Sequence, residues 1–214
     1  MSKEFRVTRG TRQGGILSPA LFNVFIDQLL TTLKESGTGV RIGTYIFNSV
    51  AYADDITLFA STIPGLQRLI DTCHLYSKQW LFRYGIKKTK CMVIGRCPFR
   101  EPSWSLNGHP IENVDALEVL GVTFTPSRDF GQHTQKRQQS CRKAFYSLDS
   151  ARILSPSLQP DLKAHLWRTA PQAALLYGCE AVPVTRRDIK SMESLQGTLV
   201  KQSLRVGKRS HHSN

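Results

Sequence analysis

Two adjacent carboxylates, Asp54 and Asp55, interrupt an otherwise apolar run of strand-forming residues at 45–60. Charged groups are costly to bury, so two neighbouring acids cannot lie inside a sheet without partners. A tight turn between two strands avoids this cost because it directs both side chains away from the sheet edge. The sequence therefore predicts a strand, an acidic turn and a second strand at this position.

The acidic turn has two interpretations. Mg²⁺ prefers hard oxygen ligands such as carboxylates and keeps other coordination positions for phosphate. A pair of such ions activates a hydroxyl nucleophile and stabilises a leaving phosphate group. However, aspartate is also common in ordinary solvated turns. The pair alone does not separate a metal site from a solvated turn, so the surrounding segments have to decide.

The net charge indicates a polyanionic partner. The chain carries 29 Lys and Arg against 16 Asp and Glu, which gives a formal net charge of +13. Such an excess attracts polyanions, and nucleic acid is the commonest of them. The alternative from charge alone is a basic solvated surface without a partner.

The cysteines and the apolar segments indicate the cellular compartment of the protein. The five cysteines are widely spaced and form no C-x-x-C pair, so they are interpreted as reduced, mostly buried thiols. Their spacing gives no support to a zinc site with His74 or His133. No apolar run has the length of a membrane span or the place of a signal segment. We therefore expect an intracellular protein, nuclear or cytoplasmic, without a membrane partner.

Hydrophobic periodicity predicts helices and strands in the first part of the chain. A helix should open at Ser18 as N-cap and Pro19 as first helical residue, and end near Gly37. A second amphipathic helix is expected at 66–80. Further strands are expected at 90–95 and 119–124 and on both sides of the hairpin turn Asn107-Gly108.

After residue 128 the pattern changes to helices at 129–154, 158–177 and 184–205. Five basic residues fall in the first of them: Lys136, Arg137, Arg142, Lys143 and Arg152. The sequence thus predicts an α+β part that is followed by a basic helical part.

Five short segments follow one another in a fixed order: GTRQGGILSPALF at 10–22, YADD at 52–55, Lys88-Thr89 before a strand, LGV at 120–122 and LYGCE at 176–180. Together they resemble the motifs of reverse transcriptases of non-LTR, LINE-type retrotransposons. An ordered set of motifs is much more specific than any one of them. The resemblance spans most of the chain, from Phe5 to about residue 206.

The resemblance implies a fold and a reaction. Residues 1–128 would form part of a polymerase palm with an antiparallel sheet and packed helices, 129–206 an all-helical basic thumb or connection, and 207–214 a tail. The implied activity is RNA-directed DNA polymerisation by two-metal nucleotidyl transfer with Mg²⁺. The implied partners are an RNA template and a DNA primer, paired as an RNA–DNA hybrid, and deoxynucleotides in the full-length enzyme.

The resemblance also assigns roles to single residues. Asp54 and Asp55 would be the catalytic metal ligands. Lys88 would be a general acid for the leaving pyrophosphate, with Lys87 and Lys90 as equal candidates. The residues next to the nucleotide and the template would be Arg12, Gln13, Gly14, Tyr52 and Ala53. Those of the primer grip would be Leu120, Gly121 and Val122.

The chain departs from the family pattern at two places. Gly85 stands where the family usually has an asparagine, three residues before the lysine. The family also has a further metal-binding aspartate on an earlier palm strand and a basic fingers region, and the residues before Phe5 are too few to hold them. We therefore expect the chain to be a truncated retrotransposon copy or a partial gene model, and to be inactive on its own.

Three alternatives remain open. One is a non-catalytic nucleic-acid-binding remnant in which the palm serves only as a scaffold. Another is an unrelated metal-dependent phosphotransferase that uses Asp54 and Asp55 without the other motifs. The third is an unstable product, because a missing palm strand leaves a sheet edge unpaired.

Overall fold

The structure, a computed structural model, describes residues 14–95, 102–127, 129–155 and 157–206. The chain divides into two compact units, Met1–Val114 and Asp115–Asn214. The first unit combines helices with short strands, and the second combines one hairpin with helices. The 119–124 segment thus belongs to the helical unit by its contacts. The assignment of palm and thumb, with a boundary near residue 128, stays a prediction.

Helices make up about half of the described residues. The α-helices are α1 Ser18–Glu35, α2 Ile63–Gln79, α3 Gly131–Ser150, α4 Pro160–Trp167, α5 Ala173–Leu176 and α6 Arg186–Ser203. A 3₁₀ turn covers Ile86–Lys88, and a π-helical turn, Arg168–Gln172, joins α4 to α5. The predicted helices at 66–80, 129–154 and 184–205 are confirmed with small shifts at their ends.

The strands are short and pair two at a time. They are β1 Val40–Ile42, β2 Tyr45–Phe47, β3 Ser49–Tyr52, β4 Asp55–Leu58, β5 Lys90–Cys91, β6 Ser105–Leu106, β7 His109–Pro110, β8 Glu112–Asn113, β9 Leu117–Val119 and β10 Val122–Phe124. Four pairs are antiparallel: β1–β2, β3–β4, β6–β7 and β9–β10. The fifth pair, β5–β8, is parallel.

The start of α1 differs from the prediction. Ser18 is the first helical residue and not the N-cap, which is Leu17 and supplies no side-chain cap. The reason is that the Ser18 N–H already donates to Gly15 O, 3.1 Å away, so the serine belongs to the turn that opens the helix. At the other end, Gly37 adopts a φ of +64°, as expected for a residue that follows a helix.

One buried side chain ties α1 to the strands of the first unit. Asn48 is buried, and its amide group donates to Leu33 O at 2.6 Å and to Thr38 O at 2.9 Å. These bonds satisfy the Leu33 carbonyl in the last turn of α1 and the Thr38 carbonyl in the loop after it, and they offset the cost of burying the amide. The strand β3, which begins at the next residue, is thereby fixed relative to the helix.

The core of the first unit lies between α1 and α2. Leu29 and Leu33 of α1 pack on Leu69, Cys73 and Tyr76 of α2. The Tyr76 hydroxyl also donates to a backbone carbonyl of α1, Phe25 O, at 2.5 Å. A second cluster joins α2 to the β6–β7 hairpin through buried apolar side chains: Ile70, Cys91, Trp104, Leu106 and Ile111.

Three details of the strands differ from the sequence-based picture. The β1–β2 hairpin was not predicted; its turn contains Gly43 with a φ of +60°. The predicted strand at 90–95 is reduced to β5, two residues long. The hairpin at Asn107-Gly108 is confirmed, and both turn residues have a positive φ, 54° and 75°.

The second unit has one apolar core among its helices. Phe145 and Cys141 of α3 pack against Leu195 and Leu199 of α6 and against Leu175 of α5. The predicted helix at 158–177 is interrupted by the π-helical turn that contains the buried Pro171. A proline has no N–H and its ring clashes with an α-helical backbone, which explains why the helix widens there.

The described cysteines agree with the prediction of free thiols. Cys73, Cys91 and Cys141 are buried, Cys179 is half-buried, and all four are unbridged. Burial raises the pKa of Cys73 and of Cys91 to about 11, so both thiols are protonated at neutral pH. In the part of the chain that the structure describes, no helix combines the length and the apolar character that a membrane crossing needs.

Candidate active site

The paired aspartates lie at the tip of the β3–β4 hairpin. Tyr52 pairs with Asp55 across the ladder, so Ala53 and Asp54 form a two-residue turn. The predicted order of strand, acidic turn and strand is confirmed. Asp54 belongs to the turn, whereas Asp55 is the first residue of β4.

The backbone of this turn is strained. Ala53 has a φ of +50°, in the left-handed region that a side chain disfavours by about 1–2 kcal/mol. Such strain persists only where the surrounding structure imposes it, and it is often found at functional sites. At Ala53, the paired strands on both sides of the turn impose the conformation.

The base of the hairpin is anchored in the first unit. Ile56 and Leu58 of β4 pack against the α1–α2 core. The ladder closes with a hydrogen bond from Phe59 N to Asn48 O at 2.8 Å, and Asn48 is itself bonded to α1. The hairpin therefore presents its tip to solvent from a fixed base.

The donors at the tip suit a hard divalent cation. Asp54 and Asp55 are both exposed, so neither pays a burial cost for its charge. Magnesium in phosphate-transfer sites is usually held by one or two carboxylates, with water and substrate phosphates as the other ligands. Among the described residues, no group of three or more His, Cys, Asp or Glu side chains could hold a metal ion. Asp54 and Asp55 are therefore suitable ligands for magnesium, but they would supply only part of its coordination.

The residues predicted to lie next to the nucleotide are placed in part. Arg12 and Gln13 lie outside the described residues. Gly14 has a φ of +77° and nothing within 4 Å of the position that a Cβ would take, so its backbone is open to a ligand. Tyr52 and Ala53 are exposed beside Asp54.

The candidate general acid lies on a separate element. Lys88 ends the 3₁₀ turn, where its N–H donates to Gly85 O at 2.9 Å, and its side chain is exposed. Gly85, which replaces the family's asparagine, still accepts the hydrogen bonds that close this turn. Of the other two candidates, Lys87 is exposed as well, whereas Lys90 is engaged in an ion pair with Glu112.

The predicted primer-grip segment is a hairpin and not a single strand. β9 ends at Val119 and β10 begins at Val122, so Leu120 and Gly121 form the turn between them. Both turn residues have a positive φ, 49° and 75°. Prediction of a continuous strand at 119–124 was wrong because leucine rarely adopts this conformation, so the pattern gave no turn signal at 120.

Tyr177, from the LYGCE segment, lies against this turn. Its hydroxyl donates to Leu120 O at 2.9 Å. A Cβ at Gly121 would come within 3.0 Å of the Tyr177 ring, and one at Gly178 within 2.9 Å of the Val122 side chain. The two segments that the sequence analysis found separately, LGV and LYGCE, are therefore in direct contact.

His133 connects the β9–β10 hairpin to the LYGCE segment. Its side chain is fully buried, at 0% exposure. The Thr123 N–H donates to its Nδ1 at 3.4 Å, so its Nε2, 3.1 Å from Tyr177 O, is the donor in that second bond. This pattern fits neutral imidazole, and burial lowers the pKa of His133 below its ordinary range. With both nitrogens bonded to backbone, His133 is no zinc ligand.

Comparison with known proteins identifies the family. Residues 1–124, more than half of the chain, match the family described as reverse transcriptase (RNA-dependent DNA polymerase). The chain belongs to the reverse transcriptase family. The match covers the first four segments named above and confirms the resemblance that they carry. The LYGCE segment lies beyond it.

Several relatives of this chain come from mobile elements. The Pol polyprotein from the type-2 retrotransposable element R2DM of Drosophila melanogaster is 36% identical over 73% of this chain and 16% of its own length. The RNA-directed DNA polymerase from the mobile element jockey of the same species is 23% identical over 85% of this chain and 20% of its own length. A polyprotein from the type-1 element R2 of Popillia japonica is 26% identical, over 96% and 29%. The chain thus spans less than a third of these relatives' lengths.

Sequence reasoning missed three residues at the contact between the LGV and LYGCE segments. Tyr177 was noted only as part of a motif, His133 only as an unsupported zinc ligand, and Arg137 only as one of several thumb cations. The Arg137 guanidinium lies 5.4 Å from the centroid of the Tyr177 ring. The available signal was Gly178, next to Tyr177, because a glycine permits a close approach of the backbone to a neighbouring group.

Proposed function

We propose that this chain is part of the RNA-directed DNA polymerase of a non-LTR retrotransposon, in which the β3–β4 hairpin supplies two of the metal-binding carboxylates. The observation that carries the proposal is the exposed pair Asp54 and Asp55 at the tip of an anchored hairpin. Membership of the reverse transcriptase family supports it.

The chemistry at the tip depends on magnesium. When bound, Mg²⁺ lowers the pKa of the primer 3′-hydroxyl and neutralises charge on the leaving pyrophosphate. Asp54 and Asp55 would hold the cation, and the strained turn at Ala53 would keep the two carboxylates at the hairpin tip. Lys88 is proposed to donate the proton that the leaving pyrophosphate takes up.

The nucleotide and the template are proposed to lie along the open backbone of Gly14. The family resemblance also implies contacts from Arg12 and Gln13, which lie outside the described residues. Tyr52 and Ala53 would border the same space from the hairpin. The β9–β10 turn, with Leu120, Gly121 and Val122, is proposed to hold the primer strand. The basic helices of the second unit would contact the backbone of the RNA–DNA hybrid without reading its sequence.

The segments assigned above, from Gly14 to the β9–β10 turn, supply only some of the groups that the proposed catalytic site needs. The family resemblance implies a further carboxylate on an earlier palm strand and basic fingers for the deoxynucleotide. A site that lacks them positions the reacting groups badly. Because no third acid among the described residues joins Asp54 and Asp55 in a metal-binding group, we propose that the 214-residue chain binds an RNA–DNA hybrid but does not extend its primer.

A non-catalytic nucleic-acid-binding remnant is the second candidate. The observation in its favour is the net charge of +13, together with an acidic tip that no third acid among the described residues joins in a metal-binding group. Both candidates predict hybrid binding that weakens steeply as salt is added. They differ in whether the aspartates still bind a divalent cation.

The experiment combines primer extension with hybrid binding. The purified chain is mixed with Mg²⁺, deoxynucleotides and a labelled DNA primer on an RNA template, and Asp54→Asn serves as the matched variant. We expect salt-dependent binding by both proteins and extension by neither. Extension that disappears in Asp54→Asn would overturn the proposed inactivity. Binding that does not change with salt would contradict a nucleic-acid function altogether.

A further inference from the structure

We propose that Arg137 is a phosphate contact for the primer strand and that Tyr177 is the positioning residue that holds it beside the Leu120–Gly121 turn. The inference rests on the proposed function, because it assumes that the β9–β10 hairpin meets the primer. It adds one specific contact to the general basic character of the helices.

Arg137 is a cation that forms no ion pair with any of the described residues. In the described part of the chain, no carboxylate lies within ion-pair distance of its guanidinium, and its Nε is buried without a hydrogen-bond partner. The neighbouring Lys136, by contrast, donates to Glu118 of β9 at 2.9 Å. Lys136 thus neutralises Glu118, while the half-buried Arg137 keeps a positive charge that no ion pair among the described residues offsets.

Tyr177 brings this cation to the turn. Its ring lies under the Arg137 guanidinium, with 5.4 Å between the guanidinium carbon and the ring centroid, a distance typical of cation–π contacts. The same ring lies 3.0 Å from the position that a Cβ at Gly121 would take, and its hydroxyl bonds Leu120 O. A single aromatic side chain therefore contacts both the turn and the cation.

The chemistry of this arrangement favours a phosphate diester. A guanidinium presents paired N–H donors in a planar fork that matches two phosphate oxygens. Stacking on Tyr177 restricts the side chain before a ligand arrives, which lowers the entropy lost on binding. A strand that passes the turn would place its backbone phosphates within reach of such a fork.

The test is a double-mutant cycle on the full 214-residue chain. Fluorescence anisotropy with a labelled RNA–DNA primer–template gives the Kd at several salt concentrations. The variants are Arg137→Gln, Tyr177→Met and both together, with Arg142→Gln, an arginine on the same helix, as the matched control. Tyr177→Met keeps a large apolar side chain but removes the aromatic face and the hydroxyl that donates to Leu120 O.

Loss of one phosphate contact has a defined signature. One phosphate contact contributes about 0.9 to the slope of log Kd against log salt concentration. If the wild type and Arg137→Gln have the same Kd at about 1 M salt, the variant should have a roughly 8-fold higher Kd at about 0.1 M salt. The slope of log Kd against log salt should fall by about 1. Once Tyr177→Met is present, Arg137→Gln should add little, whereas Arg142→Gln should have the same effect in both backgrounds.

The outcomes separate this inference from the proposed function. If the wild-type chain shows no salt-dependent hybrid binding, the proposed function fails and this inference fails with it. If the wild type binds but Arg137→Gln leaves the slope unchanged, only the phosphate contact is overturned. Independent, multiplicative effects of Arg137→Gln and Tyr177→Met would overturn the positioning role. Should Tyr177→Met fail to fold by circular dichroism, Arg137→Lys decides, because it should restore the slope but not the full affinity.

Discussion

The two hairpins with proposed roles have similar turns but different surroundings. Each turn contains a residue other than glycine with a positive φ, Ala53 at 50° in one and Leu120 at 49° in the other. In the described part of the chain, no side-chain hydrogen bond reaches the backbone of the Ala53–Asp54 turn. The Leu120–Gly121 turn, in contrast, accepts a hydrogen bond from Tyr177 and lies against its ring.

The difference corresponds to what each hairpin is proposed to hold. A metal site needs exposed carboxylates with open coordination positions, so side chains that crowd the tip would hinder it. A turn that grips a flexible strand gains from being rigid before the strand arrives, because less entropy is lost on binding. Among the described residues, the contacts that hold the first hairpin lie at its base, whereas those that hold the second reach its turn.

The largest effect should come from filling the contact between LYGCE and β10. Gly178→Ala places a Cβ 2.9 Å from the Val122 side chain at a φ of +75°. Left-handed strain and overpacking together should lower the free energy of unfolding by about 2–4 kcal/mol. Urea denaturation measures the loss.

Gly108→Ala is the matched control for this substitution. Gly108 has the same φ of +75° but nothing within 4 Å of its Cβ position. Gly108→Ala should lower the free energy of unfolding only by the left-handed strain, about 1–2 kcal/mol. Equal losses at the two glycines would show that the space beside Val122 is not tightly filled.

The second effect is a dependence of stability on pH, caused by His133, which is bonded to the β9–β10 hairpin. Burial lowers the pKa of His133 below its ordinary value of 6.5, since the fold favours the neutral ring. Below pH 6.5 the unfolded chain binds a proton that the folded chain resists, so stability falls as the pH drops and levels off below the folded pKa. The charged groups around His133 are Lys136 and Arg137 on α3 and Glu118 on β9.

The control for this prediction is His133→Gln. An amide keeps a donor for Tyr177 O but does not titrate in this range. Urea midpoints measured between pH 7 and pH 5 should fall for the wild type and stay level for the variant. Parallel curves would contradict a buried neutral histidine. The pKa of Glu118, lowered first by its hydrogen bond with Lys136, affects stability only at more acidic pH.

The smallest effect distinguishes the two turns directly. Ala53→Gly and Leu120→Gly both release left-handed strain of about 1–2 kcal/mol, and the flexible unfolded chain offsets about 0.4–1 kcal/mol of it. Ala53→Gly should therefore stabilise the fold by roughly 0.5 kcal/mol. Leu120→Gly should gain less because it also removes the packing of a leucine side chain. A larger gain at Leu120, measured by thermal unfolding, would contradict the tight fixation of that turn.

Much of the first hairpin was predictable because its signal is local. Asp54 and Asp55 break an apolar strand pattern, and two adjacent charges leave few solutions other than a turn. The same holds for Asn107-Gly108, whose turn conformation follows from the residue types. In both places, neighbours in the sequence determine the backbone.

The second hairpin was not predictable in this way because its turn depends on distant residues. Leu120 has no local reason to adopt a positive φ, and the bond that fixes it comes from Tyr177, 57 positions later. The partners of His133 are likewise a strand residue and a carbonyl of another segment. A motif list shows that LGV and LYGCE are both present, but it does not show that they touch.

The metal role of the acidic hairpin can be measured directly with Mn²⁺ as a paramagnetic substitute for Mg²⁺. Small amounts of Mn²⁺ are added to the ¹⁵N-labelled chain, and the loss of each amide signal is recorded by NMR. The proposed site predicts that signals at 52–56 broaden first, and that a variant with both Asp54→Asn and Asp55→Asn loses this broadening while its fold is kept. Broadening that starts elsewhere, or that persists in the double variant, would contradict a metal site at this turn.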